Sequence, residues 1–404
     1  MKKLLSIATC AFAVLAMSAQ TSNLEQAKKM IGKADKIEEA RQLLKDAMQN
    51  PETANSPTTY YLAGKLEWDA YDKSQAIQMV NPDKVNPVEM GKQLLNGYEY
   101  FMQVFPLDTL KDKKGAVKPL YTKELQKKIA DKKNDFWNAA VVFYNEKMYY
   151  PEAYQAFMIN GDIPGLEVLD KNRPIVEDTV RAVSYFNAGL SAWGSDQVED
   201  ASKAFRKAIE NNYNDPQAYI YEIACWQNIE GKDSEHNREA EARENIYNAA
   251  KAGFEKFGMD QPLFLNNMIN SLVNENKMED ALSLINDAIG KYPDKSNLFG
   301  LRAYIYDRLE NEEASEADYR KAAEMSDIDY ETMNNAVKKL IRIGQEKWNN
   351  IELGDPDSRS KKAAVKGNYF ETAKKYAEKA KTLPGYQDGD MDYLIENIDY
   401  LLSL

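Results

Sequence analysis

A fixed spacing of 34 residues constrains this chain more than any other feature. The motif Ala-x3-Phe/Leu/Ile-x2-Ala occurs as Ala40/Leu44/Ala47, Ala201/Phe205/Ala208 and Ala281/Ile285/Ala288. Ser315/Tyr319/Ala322 and Ala373/Ala377/Ala380 are variants of it, and Ala153/Phe157 is a truncated form. About thirteen residues upstream, a second segment carries paired residues four apart, such as Tyr185/Gly189, Leu265/Ile269, Phe299/Ala303 and Trp137/Val141. Residues at that separation share one face of a helix. Equivalent starts fall at 182 and 216, then at 262, 296 and 330, each 34 residues from the next within its group. No stretch alternates apolar and polar residues as a sustained strand does. The repeating unit is therefore a helix–turn–helix that buries its apolar face only against copies of itself.

The unit resembles the tetratricopeptide repeat (TPR). Unit 262–295 matches through Leu265, Met268, Ile269, Leu272, Ala281, Ile285, Ala288 and Pro293. Unit 182–215 matches through Tyr185, Ala188, Gly189, Ala201, Phe205 and Ala208, and unit 296–329 through Phe299, Ala303, Tyr306, Tyr319 and Ala322. The resemblance covers nearly all of the chain beyond its N-terminus, strongly from 134 to 329. It implies an all-α fold, an α-solenoid or TPR-type right-handed superhelix of antiparallel helix pairs. About eight repeats are expected over residues 20–404 as one solenoid, degenerate at both ends. Inserts are expected near 81–87, 110–133, 161–176, 230–238 and 350–365; residues 110–133 are expected to lengthen the next first helix or add an extra one, and 161–176 reads as a non-helical loop. A capping helix is expected over 388–404, with Tyr393, Leu394, Ile398 and Leu401 on one face.

The N-terminus reads as a cleaved secretory signal over residues 1–19. Met1-Lys2-Lys3 is the positive region, Leu4 to Ala16 the apolar run, and Met17-Ser18-Ala19-Gln20 the exit. Cleavage is expected after Ala19, with Ser18 the alternative. The run is too short for a membrane-spanning helix, which needs about 20 apolar residues, and no second run approaches that length. Cys10 raises the question of lipidation, but Thr9 precedes it poorly and the apolar run continues past it. The expected product is an exported, periplasmic chain, with outer-membrane association or secretion as alternatives, and it looks like an exported TPR protein of a Gram-negative bacterium.

Reactive chemistry is scarce. The chain has 2 Cys, 1 His and a formal charge of −12, from 64 acidic and 52 basic side chains. Phosphate contacts need clustered Lys and Arg, so this balance speaks against nucleic acid. His236 sits in a polar loop without the Cys or second His of a zinc site. Asp388-Gly389-Asp390-Met391-Asp392 has the spacing that opens a calcium loop, but Tyr393 and Asp399 stand where Gly and Glu are required. Cys225 reads as a small buried apolar residue. No catalytic residue, metal ligand or cofactor is expected, and the chain reads as non-enzymatic.

A surface remains. In TPR arrays the first helices line a concave groove that takes an extended peptide or a partner helix. Carried over residue by residue, the groove positions here are Asn138, Phe186, Asn187, Trp193, Asn266, Asn267, Asn270 and Tyr304. Asn pairs with peptide backbone and the aromatics anchor apolar groups. One TPR subtype grips a terminal carboxylate with Lys, Asn and Arg. The matching positions here, Asn138, Val142, Asn187, Asn266 and Asn270, include no Lys or Arg, so an acidic C-terminal motif is not the expected ligand. The resemblance implies a protein–protein interaction scaffold in the cell envelope, with a protein or peptide partner and a place in an envelope complex. The alternative is an outer-membrane-associated glycan-capture accessory protein of nutrient uptake, in which some of the 25 Tyr stack on sugars.

Overall fold

The computed structural model describes residues 23–109, 111, 114–352 and 356–404. The signal peptide expected over residues 1–19 lies outside the described residues. Among those described, the chain is helical apart from turns and one isolated bridge between Lys111 and Val117. It is all-α, as the period requires, and divides into two compact units between Ala242 and Arg243.

In the first unit a helical stretch over residues 23–30 precedes α1 (Ile37–Gln49), α2 (Pro57–Val80) and α3 (Pro87–Leu107). Then come α4 (Thr122–Asp131), α5 (Lys133–Asn145), α6 (Tyr150–Asp162), α7 (Asp178–Gly194), α8 (Val198–Glu210) and α9 (Pro216–Lys232). The unit boundary falls inside α10 (Glu239–Phe257). The second unit continues with α11 (Pro262–Asn274), α12 (Met278–Lys291), α13 (Ser296–Arg308), α14 (Glu312–Glu324) and α15 (Tyr330–Asn349). It ends with α16 (Ser358–Val365), a π-helical turn (Lys366–Glu371), α17 (Thr372–Ala380) and α18 (Asp392–Ser403).

The 34-residue period has a backbone signature. Asp196, Asn276 and Glu310 stand at the same place in their repeats, between first and second helices, and all are left-handed, with φ of 58°, 59° and 56°. In each case the next amide reaches five residues back. Gln197 N donates to the Ala192 carbonyl (2.9 Å), Lys277 N to Leu272 (2.8 Å) and Asn311 N to Tyr306 (2.9 Å). This is the Schellman closure, which satisfies carbonyls orphaned at a helix end and turns the chain sharply. The second helix then folds back antiparallel on the first.

Packing follows the motif. Tyr185, Ala188, Ala201, Phe205 and Ala208 are buried in one repeat, and Leu265, Ile269, Ala281, Ile285 and Ala288 in another. A Cβ on Gly189 would lie 2.5 Å from Cε1 of Phe205, so only glycine lets that ring seat against α7. Asn160 ties three helices together: its amide donates to the Lys133 carbonyl (2.6 Å) and accepts from Ser184 Oγ (2.7 Å).

The expected loop at 161–176 is shorter and more ordered than its composition suggests. Gly161 belongs to α6 instead of opening the 161–176 loop. It is small because a Cβ there would lie 2.6 Å from Cε1 of Tyr185, so it serves packing and not chain breaking. Ile163–Gly165 and Glu167–Asn172 are 3-10 turns. Within 110–133, α4 is a helix whose start is held by Asp108, which accepts from the Leu120, Tyr121 and Thr122 amides and from Thr122 Oγ1 at 2.8–2.9 Å. At the C-terminal end the helix itself is Asp392–Ser403, with Ile398 and Leu401 buried and Tyr393 exposed.

Candidate binding grooves

The second unit holds a cavity of about 600 Å³ lined from α11, α13 and α15, the first helices of three successive repeats. Asn266 and Asn270 come from α11, Asn297, Gly300 and Tyr304 from α13, and Glu331, Thr332 and Asn335 from α15. The period explains the set. Adding 34 to Asn266, Asn270, Asn297 and Leu301 gives Gly300, Tyr304, Glu331 and Asn335, all on the cavity wall. At Gly300 a Cβ would lie 2.6 Å from Cγ2 of Thr332, so glycine lets α13 and α15 approach there.

Several asparagines are spent on structure. Asn86, Asn160, Asn187, Asn211, Asn267 and Asn311 all hydrogen-bond to nearby groups. The four on the cavity differ: the side chains of Asn266, Asn270, Asn297 and Asn335 make no hydrogen bond to another described residue. Oδ1 of Asn266 is sealed from solvent and still unpaired. A buried orphan acceptor of this kind costs about 1–3 kcal/mol.

The charges on the wall are largely committed. Asp329 caps α15, accepting from Thr332 N (2.7 Å) and Thr332 Oγ1 (3.0 Å). Asp327 accepts from Ser296 N at 3.2 Å, at the start of α13. Each carboxylate thus offsets the positive end of a helix dipole. Glu331 and Lys295 remain, one of each sign, without an ion-pair partner among the described residues. Burial pushes the Tyr319 phenol well above its ordinary value, so it stays neutral and hydrogen-bonding. The wall thus carries three carboxylates against one lysine, and its uncommitted amides are the groups that pair with peptide backbone.

In the first unit the face built from α5, α7 and α9 is aromatic. The ring of Phe186 stacks on Tyr213 (4.5 Å, 17°) and leans on Phe205 (5.7 Å). Trp193 and Phe186 both flank Tyr221, at 6.1 and 6.3 Å. Tyr144 meets Tyr150 at 5.3 Å, and burial, followed by the hydroxyls of Tyr150 and Tyr221, raises its phenol above the ordinary value. Phe205 is fully buried, and the other rings of this face are half-buried.

The eight expected groove residues thus separate. Asn266, Asn270 and Tyr304 meet in one cavity, while Phe186 and Trp193 share the aromatic face of the other unit. Asn187 and Asn267 turn their amides back to Val183 and Leu263 of their own helices, at 2.8 and 2.9 Å. Asn138 is exposed on α5. Asn297 and Asn335 went unrecognised in the sequence, although the 34-residue offset applied to the whole wall finds the positions.

The reactive residue types lie elsewhere. His236 is exposed in the turn after α9, its Nδ1 paired with Glu239. Asp390 accepts from Tyr330 OH (3.1 Å) and from Gln387 N. Cys225 is fully buried, and burial pushes its thiol far above the ordinary value, leaving it inert. Among the described residues no group of three or more His, Cys, Asp or Glu is placed to hold a metal, and no helix is long and apolar enough to cross a membrane.

With this geometry in view, the family comparison is specific. The tetratricopeptide repeat model matches residues 182–215 and 296–329, two of the units set by the period, so these stretches are tetratricopeptide repeats. Among solved structures the chain is similar to a TPR repeats protein from Bacteroides fragilis, at 15% identity over 68% of this chain and 98% of that one (TM-score 0.31). It is also similar to the P58(IPK) TPR domain, at 10% identity over 95% and 98% (TM-score 0.28). Yeast Tom70 is a third, at 13% identity over 95% and 96% (TM-score 0.24). No curated protein matches the sequence closely enough to count as a relative.

Proposed function

We propose that this chain is a non-enzymatic scaffold that holds an extended segment of another protein along the first helices of its second unit. One observation carries this reading: four asparagine side chains without partners, on the first helices of three successive repeats, around a cavity of about 600 Å³. An amide that both donates and accepts pairs with a backbone peptide group whatever the side chain beside it. Each such bond is worth about 0.5–1.5 kcal/mol net, so several together give useful affinity with loose sequence preference.

The test is selection of random dodecapeptides on the full chain, followed by titration of the winners. Asn270→Ala and Asn335→Ala are each expected to weaken binding about threefold to tenfold without moving the melting curve, since both side chains are exposed. Failure to enrich any peptide, or winners indifferent to both substitutions, would overturn the reading.

We further place the protein in the cell envelope as an exported, periplasmic component of a larger complex. Support comes from the Lys2-Lys3 start, the apolar run to Ala16 and the small residues before Gln20. N-terminal sequencing of the exported chain should read Gln20 first, and an exported chain that retains Met1 contradicts it.

A further inference from the structure

We propose that α4 and the turn ahead of it form a docking face for an anionic phospholipid bilayer, with lysines on the headgroups and Val117 and Leu120 at the acyl boundary. The starting observation is a local reversal of charge. Seven lysines fall within residues 114–133 against Glu124 and Asp131, in a chain whose formal charge is −12. The segment lies outside the units set by the 34-residue period, so repeat packing does not account for it.

The fold displays the segment outward. An antiparallel bridge joins Lys111 to Val117, and Gly115 between them is left-handed, with φ of 82°. The chain is then pinned by Asp108, which accepts from the Leu120, Tyr121 and Thr122 amides. Tyr121 adds an anchor, its ring stacked on Tyr61 (4.0 Å, 16°) and its hydroxyl 3.0 Å from that of Thr58. Between these fixed points Val117 and Leu120 remain 57% and 61% exposed. In α4, Leu125 and Ile129 are fully buried, and at about 100° per residue Lys123 and Lys127 fall on the opposite, exposed side. Lys111, Lys118, Lys123 and Lys127 have no ion-pair partner among the described residues, whereas Lys128 pairs with Glu124 (2.9 Å) and Lys132 with Asp135 (3.0 Å) and Asp72. The turn Glu167–Asn172 is tied to α4 by Gln126 Nε2, which donates to the Val168 carbonyl (2.9 Å). Its Glu167 and Asp170 are balanced by Lys171 and the adjoining Arg173, so the lysines ahead of and along α4 set the local charge.

Composition selects a bilayer over other anionic partners. Nucleic-acid sites add arginine for the bases and aromatic rings for stacking. Residues 114–133 contain no Arg, and their one aromatic residue, Tyr121, is committed to Tyr61. The cores of protein interfaces gather Tyr, Trp and Arg and are depleted in Lys, the reverse of this face. A headgroup layer asks only for diffuse positive charge and a short apolar tip that reaches the acyl boundary. The acids elsewhere in the chain do not cancel the attraction, because exposed charges beyond a Debye length of about 10 Å are screened.

Co-sedimentation with phosphatidylcholine vesicles, with and without about one third phosphatidylglycerol, tests the inference on the chain beginning at Gln20, which lacks the apolar leader. The expected result is binding only where phosphatidylglycerol is present, weakened by added salt. Lys118→Gln, Lys123→Gln and Lys127→Gln together should weaken it roughly a hundredfold, about fivefold per lysine. Val117→Ser with Leu120→Ser should weaken it about tenfold and leave its salt dependence unchanged. All five side chains are exposed, so the melting curves of both variants should stay where they are. The inference is overturned by absence of binding, by equal binding to both kinds of vesicle, or by indifference to either variant. Tighter binding of polyglutamate or of a single-stranded oligonucleotide than of the vesicles, at equal charge, would overturn it too, and would assign the lysines to an acidic protein or to nucleic acid.

Discussion

Glu222 shows how a single residue can be both legible and misjudged. It reads as one of many acids on an amphipathic helix, yet it is 2% exposed. Its Oε1 accepts from Arg206 Nε (3.2 Å), Arg206 Nη2 (2.9 Å) and Trp226 Nε1 (3.0 Å). Burial nevertheless wins over these bonds and raises the carboxyl above its ordinary value of 4.5. The folded state thus holds this proton more tightly than the unfolded chain does. The resulting stability is full below about pH 4.5 and is lost as pH rises through the folded value. Glu222→Gln cannot titrate, so the wild-type chain should gain stability relative to this variant as pH falls from 7 towards 4.5. Each unit of upward displacement is worth about 1.4 kcal/mol. Melting of both chains at the two pH values checks this, and a pH-independent difference contradicts it. Residue-level outcomes at the groove were hidden for a related reason. Whether an asparagine faces a ligand or its own helix depends on its rotamer, and Asn266 and Asn267, adjacent in sequence, differ in this way.

The repeat was legible at the level of elements because its period is rigid. Helices begin at Pro262, Ser296 and Tyr330, 34 residues apart, and at Pro216, 34 after the expected start at 182, whose own helix opens earlier, at Asp178. The glycines were harder to read. Gly161 looked like a breaker and is a packing residue, and only the position of the Tyr185 ring tells the two apart. The turn between paired helices carries its own prediction. Its left-handed residue is Asp196, Asn276 or Glu310, and a side chain there costs about 1–2 kcal/mol, least for Asn and Asp. Glycine removes that cost but adds freedom to the unfolded chain, worth about 0.5–1 kcal/mol. Glu310→Gly should therefore stabilise the second unit by up to about 1 kcal/mol, and Asn276→Gly by less. Urea unfolding of the two variants measures the order, and a lower midpoint for Glu310→Gly contradicts the shared turn geometry.

At the scale of the whole molecule, the shortage of His and Cys and the abundance of Asn and Tyr point the same way. A formal charge of −12 and a single histidine fit the proposed reading of a chain that works through its surfaces. Its two units present different chemistry: amides around a cavity in one, and a cluster of aromatic rings in the other. The period could not foretell that difference, because repeats share core positions while their surface positions vary independently. The central claim is that the first helices of the second unit hold a peptide. Amide hydrogen exchange on the full chain, with and without a peptide selected on it, tests this most directly. New protection confined to α11, α13 and α15 is the predicted result. Protection appearing instead on α12 and α14, the second helices of those repeats, would contradict it.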